Sequence, residues 1–356
     1  LFPVYYFEAP EVLVLIAIVG AVTSLYAAVV ACVQTDIKRV LAFSTISQIG
    51  FMMVALGVSG YGGHHGLGYM AGMFHLFTHA MFKALLFLGA GSIIHAVHSN
   101  EMSAMGGLRK YMPVTHITFL VACLAISGIW PLSGFFSKDE ILTACFAYSP
   151  AMGWIMTAIA GLTAFYMFRL YYGIFWGREN RQLHAEHTPH EAPVTMTPLV
   201  VLAVVTLGAG FIPFGHFVSS NGTAYDIHID TTVATTSLCV AAAGILIASW
   251  MYARERQDVA ESLASRFRTL HTAAYHRFYI DEVYQFITHR IIFRCISTPI
   301  AWFDRNVVDG FMNMLARGAN GASYAIRGMQ SGSIQRYCIW FLGGALVLTI
   351  ILLIIR

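Results

Sequence analysis

Three titratable side chains at four-residue intervals give the clearest sign of chemistry in this sequence. His75, His79 and Lys83 lie within the apolar stretch 72–88, which reads GMFHLFTHAMFKALLFL. On an α-helix, residues four apart lie on one face, about 6 Å apart along the axis, so the three groups would form a row about 12 Å long. A row of imidazole and ammonium groups of this kind could pass a proton along the helix.

Lys83 is the residue of this row whose position most needs a reason. A lysine near the centre of a membrane helix costs about 2.5–3.5 kcal/mol by insertion scales, which favours a functional role. The alternatives are that Lys83 snorkels to the interface, and that His75 or His79 is a packing residue hydrogen-bonded to a neighbouring helix. Apolar flanks at 66–82 and 84–90 place Lys83 too deep for easy snorkelling.

A second group of charged residues follows a break in an apolar segment. Segment 114–148 is too long for one straight crossing, and its sequence WPLSG contains a proline and a glycine that interrupt helical hydrogen bonding. Lys138 and Asp139 follow after Phe135, Phe136 and Ser137. Two interpretations stay open: a complete span at 114–136 with 138–140 as its hydrated end, or a helix broken in mid-membrane whose freed backbone groups and Lys138 line a wet cavity.

The elements that would position these residues are membrane spans. Of the 356 residues, 57% are hydrophobic and 11% are charged, whereas soluble domains carry about 25% charged residues. The formal net charge of +3 gives no indication of nucleic-acid binding. Because about 20 apolar residues cross a bilayer, the sequence predicts eight spans. They lie at 12–33, 40–58, 67–94, 114–148, 151–176, 198–217, 232–251 and 338–355.

The placement of lysine and arginine predicts the orientation of these spans. Loops after the first, third, fifth and seventh spans are basic, and loops after the second, fourth and sixth contain neither residue. Basic residues collect on the cytoplasmic side, so we expect the basic loops inside and the C-terminal Arg356 outside. The basic residues are Lys38, Arg39, Arg109, Lys110, Arg178, Arg181, Arg254 and Arg256.

Residues 253–337 differ from the rest because charged residues return and no segment is apolar enough to cross. From about Ile280 to Ile334, an apolar stripe is opposed by arginines and aspartates, which predicts an amphipathic helix along the membrane face. If continuous, this lateral helix would be about 80 Å long, with a kink at Pro299.

These patterns predict an all-α integral membrane protein of about eight transmembrane helices, one broken in mid-membrane, plus a long lateral amphipathic helix. We divide the chain into a five-helix repeat, a loop with two further spans, a connector with the lateral helix, and a terminal span. Their respective ranges are 1–177, 178–252, 253–337 and 338–356.

The sequence contains no recognisable binding motif for a cofactor or a redox centre. It contains no dinucleotide fingerprint and no P-loop, and its six cysteines are scattered, so we expect no cofactor and no metal in this chain. The loop 184–191 contains histidines and glutamates, but their irregular spacing beside Pro189 argues against a metal site.

Four motifs, in this order, resemble the antiporter-like membrane subunits of respiratory complex I, the proton-translocating NADH:quinone oxidoreductase. They are QTDIKRVLAFSTISQIGF at 34–51, FHLFTHAMFKALLF at 74–87, GGLRK at 106–110 and GFFSKDE at 134–140. The sequence FYIDEVY at 278–284, with the lateral helix and last span, resembles the distal member of that set, subunit 5 or the L chain. That family begins with further helices and an earlier inverted repeat, so we expect this chain to be the C-terminal portion of such a protein.

The resemblance implies roles for the charged residues. Lys83 would be the central lysine of a hydrophilic axis, His75 and His79 would relay protons from it, and Lys138 with Asp139 would lie near the exit on the broken helix. Proton movement would be coupled to quinone reduction elsewhere in the complex. Expected partners are the other membrane-arm subunits, above all neighbouring antiporter-like subunits bound through the lateral helix, together with lipid.

Two other functions remain open at this stage. One is a subunit of a multi-subunit sodium/proton antiporter or of a membrane-bound hydrogenase, whose helices resemble the same motifs. The other is a structural element that clamps its partners and conducts nothing. A composition rich in alanine, glycine and arginine favours a bacterial cytoplasmic membrane over the mitochondrial inner membrane.

Overall fold

The computed structural model describes residues 5, 7–60, 66–177, 189–218, 225, 229–254 and 258–355, and these parts contain helices and no strand. Contacts divide the chain into two compact units, Leu1–Phe278 and Tyr279–Arg356. Several residues used in the predictions lie outside the described parts. They are Arg178, Arg181, Arg256, Arg356 and the loop residues His184, Glu186 and His187.

The first unit is a bundle of apolar helices. Within the described residues of the whole chain, seven helices are long and apolar enough to cross a membrane, and they coincide with seven of the eight predicted spans. The prediction of an all-α membrane protein is confirmed. The helices of this unit are α1 (Pro10–Ala31), α2 (Ile37–Val58), α3 (Leu67–Val97), α4 (Pro113–Ser127), α5 (Ser133–Tyr148), α6 (Pro150–Phe175), α7 (Pro193–Gly208), α8 (Thr231–Tyr252), α9 (Asp258–Arg266) and α10 (Arg268–Tyr275).

The fourth predicted span consists of two half-helices. Helix α4 ends at Ser127 and is capped by Gly128, which adopts a left-handed conformation with φ of 77°, and α5 begins at Ser133. The halves pack tightly, because a Cβ atom added to Gly134 would collide with the carbonyl oxygen of Ala125. The interpretation of 114–136 as one complete span is therefore wrong. Residues 138–140 do not form its hydrated end, because Lys138 is only 3% exposed. The broken helix is confirmed.

Small residues let α1 and α2 approach each other closely. A Cβ atom added to Gly50 would lie 2.7 Å from the carbonyl oxygen of Gly20, closer than such atoms can come. Beside this contact, the Ser24 hydroxyl donates to the carbonyl oxygen of Ser47 at 2.9 Å. Small residues and interhelical hydrogen bonds are the usual means of joining membrane helices, because lipid gives no hydrophobic drive between them.

Two segment boundaries differ from the sequence prediction. The helix predicted at 198–217 begins at Pro193 and includes Pro198, and its apolar span ends at Phe211, before Pro213.

The start of α4 has a partner from a distant part of the chain: the Glu191 carboxylate accepts a hydrogen bond of 2.6 Å from the Thr115 amide. That amide belongs to the first helical turn, whose N–H groups have no partner within the helix.

The second unit consists of a long helix at 280–327 and the terminal helix Ile334–Ile355. At about 1.5 Å per residue, the long helix reaches at most about 70 Å, so it is shorter than predicted. It ends at Arg327 instead of continuing to Ile334. Helical dihedrals continue through the Pro299 region, and π-helical turns over Ile287–Ser297 precede it.

Candidate functional site

His75, His79 and Lys83 all point into the bundle from α3. They are 0%, 7% and 5% exposed, respectively. The ring centroids of the two histidines lie 6.1 Å apart. An adjacent face of the same helix is exposed, along the line Leu76, Ala80 and Ala84. The structure therefore places the three predicted site residues on one buried face.

The Lys83 ammonium is held by neutral oxygen atoms of α2. Its Nζ atom donates to the carbonyl oxygen of Leu41 at 2.9 Å and to the Ser44 hydroxyl. The Phe87 ring lies 5.6 Å from Nζ. Burial disfavours a charged ammonium, and neutral oxygens offset that cost less than a carboxylate would. Lys83 is thus a buried ammonium held by neutral oxygen atoms of α2.

His75 is fixed by hydrogen bonds at both ring nitrogens. Nε2 lies 3.1 Å from Oε1 of Gln48, and Nδ1 lies 2.8 Å from the Ser137 hydroxyl. We assign the proton to Nε2, because an amide oxygen can only accept and the other end of Gln48 donates to Thr163. Nδ1 then accepts from Ser137.

These bonds form a network across three helices. Ser137 on α5 contacts both His75 and the Thr78 hydroxyl on α3, the latter at 2.8 Å. Gln48 on α2 completes the line on the other side of the imidazole. The residue after Ser137 is Lys138, so this network joins the row on α3 to the second half of the broken helix.

His79 lies between the two hydrogen-bonded ends of the row. Its Nε2 atom is buried and has no hydrogen-bond partner among the residues described. The Phe82 ring lies against it edge-on, with centroids 5.4 Å apart. Buried polar groups normally have a partner, so this nitrogen is a position where a water molecule would bridge to neighbouring groups.

Lys138 uses a backbone group that the helix break sets free. Its Nζ atom donates at 2.6 Å to the carbonyl oxygen of Ile126, in the last turn of α4. Carbonyls of a last turn have no partner within their helix, and the helix dipole makes that end favourable for a cation. The break therefore creates the site that holds Lys138.

Asp139, the residue after Lys138, is also buried. It is 1% exposed, and neither carboxylate oxygen has a hydrogen-bond partner in the described parts of the chain. The structure thus brings His75 together with the Ser137–Lys138 end of α5, whereas Asp139 stands apart from that network.

Sequence reasoning did not single out Ser137 as a site residue. The sequence feature that could have identified it is a hydroxyl side chain directly before Lys138 in an apolar half-helix. The polar residues Gln48 and Ser44 lie in the apolar helix α2. The structure shows them bonded to His75 and Lys83. No three His, Cys, Asp or Glu side chains converge as metal ligands within the described residues.

Comparison with known proteins gives consistent matches along nearly the whole chain. The family model described as NADH:quinone oxidoreductase/Mrp antiporter, TM, matches residues 1–164. NAD(P)H-quinone oxidoreductase chain 5 of Picosynechococcus sp. is 38% identical over 380 residues, covering 95% of this chain and 55% of that protein. NADH-quinone oxidoreductase subunit L of Rickettsia felis is 34% identical over 371 residues, covering 94% of this chain and 55% of that protein. The chain spans about half the length of the curated relatives it matches.

Two solved structures share the fold. A chain in the Mrp complex from Dietzia sp. matches with a TM-score of 0.59 at 21% identity, covering 98% of this chain and 35% of that one. A chain of the membrane-bound sulfane sulfur reductase, an archaeal respiratory membrane complex, matches with a TM-score of 0.55 at 23% identity. The match covers 95% of this chain and 56% of that one.

Proposed function

This chain belongs to the antiporter-like membrane subunits of the NADH:quinone oxidoreductase/Mrp family, and from that premise we propose that it translocates protons as the C-terminal part of subunit 5 or L. Electron transfer and quinone reduction would take place in other subunits. The chain would contribute to the oxidoreductase by moving protons through the membrane.

One observation carries this proposal: the bond between His75 and Ser137 connects the buried row on α3 to the Lys138 end of the broken helix. A protonated Lys83 would pass its proton through water to His79, whose Nε2 atom is buried and unpartnered within the described residues. Imidazole takes a proton at one ring nitrogen and gives one up at the other. His75 and Ser137 would continue the path to Lys138.

The family relatives favour quinone-linked proton transfer over sodium/proton antiport. Relatives named as quinone oxidoreductase chains are 34–38% identical in sequence, whereas the Mrp structure is 21% identical. We infer that the partners are other membrane-arm subunits and that lipid covers the remaining faces. The exposed apolar residues of the 280–327 helix, such as Ile291, Trp302 and Phe311, would bind neighbouring antiporter-like subunits. A bacterial cytoplasmic membrane is the proposed location.

Replacing Lys83 with alanine in the intact complex tests the proposed function. In membrane vesicles, protons pumped per NADH oxidised should fall strongly in Lys83→Ala. The exposed Lys110→Ala serves as the control and should pump like the unmodified enzyme. Pumping per electron that is unchanged in Lys83→Ala would refute the proposal and favour a non-conducting clamp. Pumping that requires sodium would favour the antiporter alternative.

A further inference from the structure

Tyr166 on α6 has a buried hydroxyl that the proposed path does not use. Its side chain is fully buried, and the hydroxyl oxygen has no hydrogen-bond partner among the described residues. A buried hydroxyl without a partner is unusual, because removal from water costs free energy that a hydrogen bond normally offsets. The surroundings of this hydroxyl therefore need an explanation.

Two hydrogen bonds on the same side of α6 fix where Tyr166 lies. Thr163 accepts from Nε2 of Gln48 on α2 at 3.4 Å. Two turns further along α6, Nη1 of Arg169 donates to the carbonyl oxygen of Gln34, just before α2, at 2.8 Å. Residues three apart lie on one side of a helix, so Tyr166 lies between these contacts and faces α2. Its long side chain leans back over the preceding turn, towards Thr163. Thr163 and Gln48 are both polar neighbours of its hydroxyl.

The hydrogen bonds around Gln48 leave one arrangement for its amide. The Thr163 hydroxyl uses its only proton on the carbonyl oxygen of Ile159, at 3.0 Å, so towards Gln48 it can only accept. The amide therefore presents its NH2 group to Thr163 and its oxygen to Nε2 of His75. This arrangement serves only the tautomer of His75 that has its proton on Nε2.

A proton relay through His75 requires the other tautomer as well. An imidazole that takes a proton at one ring nitrogen and releases one from the other reverses its tautomer with each proton, so the first tautomer has to be restored. Ser137 can serve both tautomers. Its hydroxyl lies 2.8 Å from Nδ1 of His75, and it has the carbonyl oxygen of Ser133 as a second acceptor at 3.4 Å. Gln48 can serve both only if its amide turns over.

A turned amide would place its oxygen against Thr163, which has no proton left to donate. That oxygen then needs another donor, and Tyr166 has a hydroxyl that no bond occupies in the arrangement described. We propose that the Tyr166 hydroxyl donates to the turned Gln48 amide, so that Gln48 can serve the second tautomer of His75. Tyr166 is thus a positioning residue of the proton path. The rotation of the amide breaks no covalent bond and moves no proton itself.

This inference rests on the proposed function, and replacing Tyr166 with phenylalanine in the intact complex tests it. The change removes only the hydroxyl, which has no bond in the described arrangement, so the temperature of half-inactivation should not fall. The rate of proton pumping into vesicles during NADH oxidation should fall about tenfold, since the turned amide would have a buried oxygen without a donor. A residue that only supported packing would lower both quantities.

Tyr172→Phe is the matched control for this variant. Tyr172 lies on the same helix, and its hydroxyl accepts from the Ser249 hydroxyl at 2.8 Å, away from Gln48. Its pumping should stay unchanged. Adding Tyr166→Phe to Gln48→Met should cause no further loss of pumping, because Tyr166 acts through the amide and the two effects are then not additive.

Normal pumping in Tyr166→Phe would overturn the inference, and so would a further loss in the double variant. A fall in thermal stability or a failure to assemble would also overturn it, since both indicate a packing role. Lys83→Ala in the same preparation separates the two proposals. If Lys83→Ala loses pumping while Tyr166→Phe keeps it, only the role of Tyr166 fails; if Lys83→Ala pumps normally, the proposed function fails and the role of Tyr166 with it.

Discussion

The Nδ1 atom of His75 lies 2.8 Å from the hydroxyl oxygen of Ser137, the residue before Lys138. This contact links a continuous helix to the second half of a broken one. It places an imidazole from one element in the same hydrogen-bonded network as the turn that carries the second buried lysine. The position of Ser137 therefore decides whether the two lysines belong to one path.

Replacing Ser137 with alanine should interrupt that path. The change removes the donor to His75 Nδ1 and one partner of Thr78, while the α5 backbone keeps its bonds. We expect the rate of proton pumping to fall about tenfold, equivalent to the loss of one buried hydrogen bond of about 1.4 kcal/mol. The measurement is pumping rate per complex, with assembly checked separately.

Ser127→Ala is the matched control for this variant. Its buried hydroxyl donates only within α4, to the carbonyl oxygen of Cys123 at 2.7 Å. It should therefore leave pumping intact. Equal losses of pumping in Ser127→Ala and Ser137→Ala would show that any buried hydroxyl near the break matters. That result would contradict a specific role for Ser137.

Gln48→Met should destabilise the site by leaving the His75 Nε2 proton without an acceptor. A buried donor that loses its partner costs about 1–3 kcal/mol. We expect lower pumping and a lower temperature of half-inactivation, both measured on the intact complex. Unaltered pumping combined with unaltered thermal stability would mean that the amide oxygen of Gln48 does not hold the imidazole.

Gly50→Ala should weaken the contact between α1 and α2. The new methyl group would meet the carbonyl oxygen of Gly20 and the Ser24 side chain, each 2.7 Å from the added atom. Overpacking of this kind costs about 1–3 kcal/mol. Thermal inactivation of the complex should therefore occur at a lower temperature. Gly91→Ala is the control, since nothing lies within 4 Å of an added Cβ there; equal effects of both changes would contradict the packing argument.

Much of the fold follows from the sequence because membrane spans have strong signals. Apolar runs of sufficient length predicted seven spans, and a proline with a nearby glycine predicted the break in the remaining one, the fourth. The spacing of His75, His79 and Lys83 predicted their common face. Each of these signals lies within the sequence of one helix, so it does not depend on how the helices pack.

The partners of those residues could not be predicted, since they depend on how helices pack. The sequence does not indicate that Lys83 meets the carbonyl oxygen of Leu41, or that the carbonyl oxygen of Ile126 turns towards Lys138. The end of the lateral helix at Arg327 was also missed, although the glycines and serines that follow it, at 328–333, are typical of a helix end. The roles of the five site residues, including Asp139, stay predictions.

Proton pumping by Lys83→Met, Lys138→Met and the double variant tests most directly whether the two lysines serve one path. Groups that act in series lose function together, so their combined effect is far from additive. We predict that each single variant, and the double variant, pumps at the same low rate per NADH oxidised. Single variants that each keep a substantial share of pumping, with a double variant that loses the sum of the two effects, would show two independent paths and contradict this account.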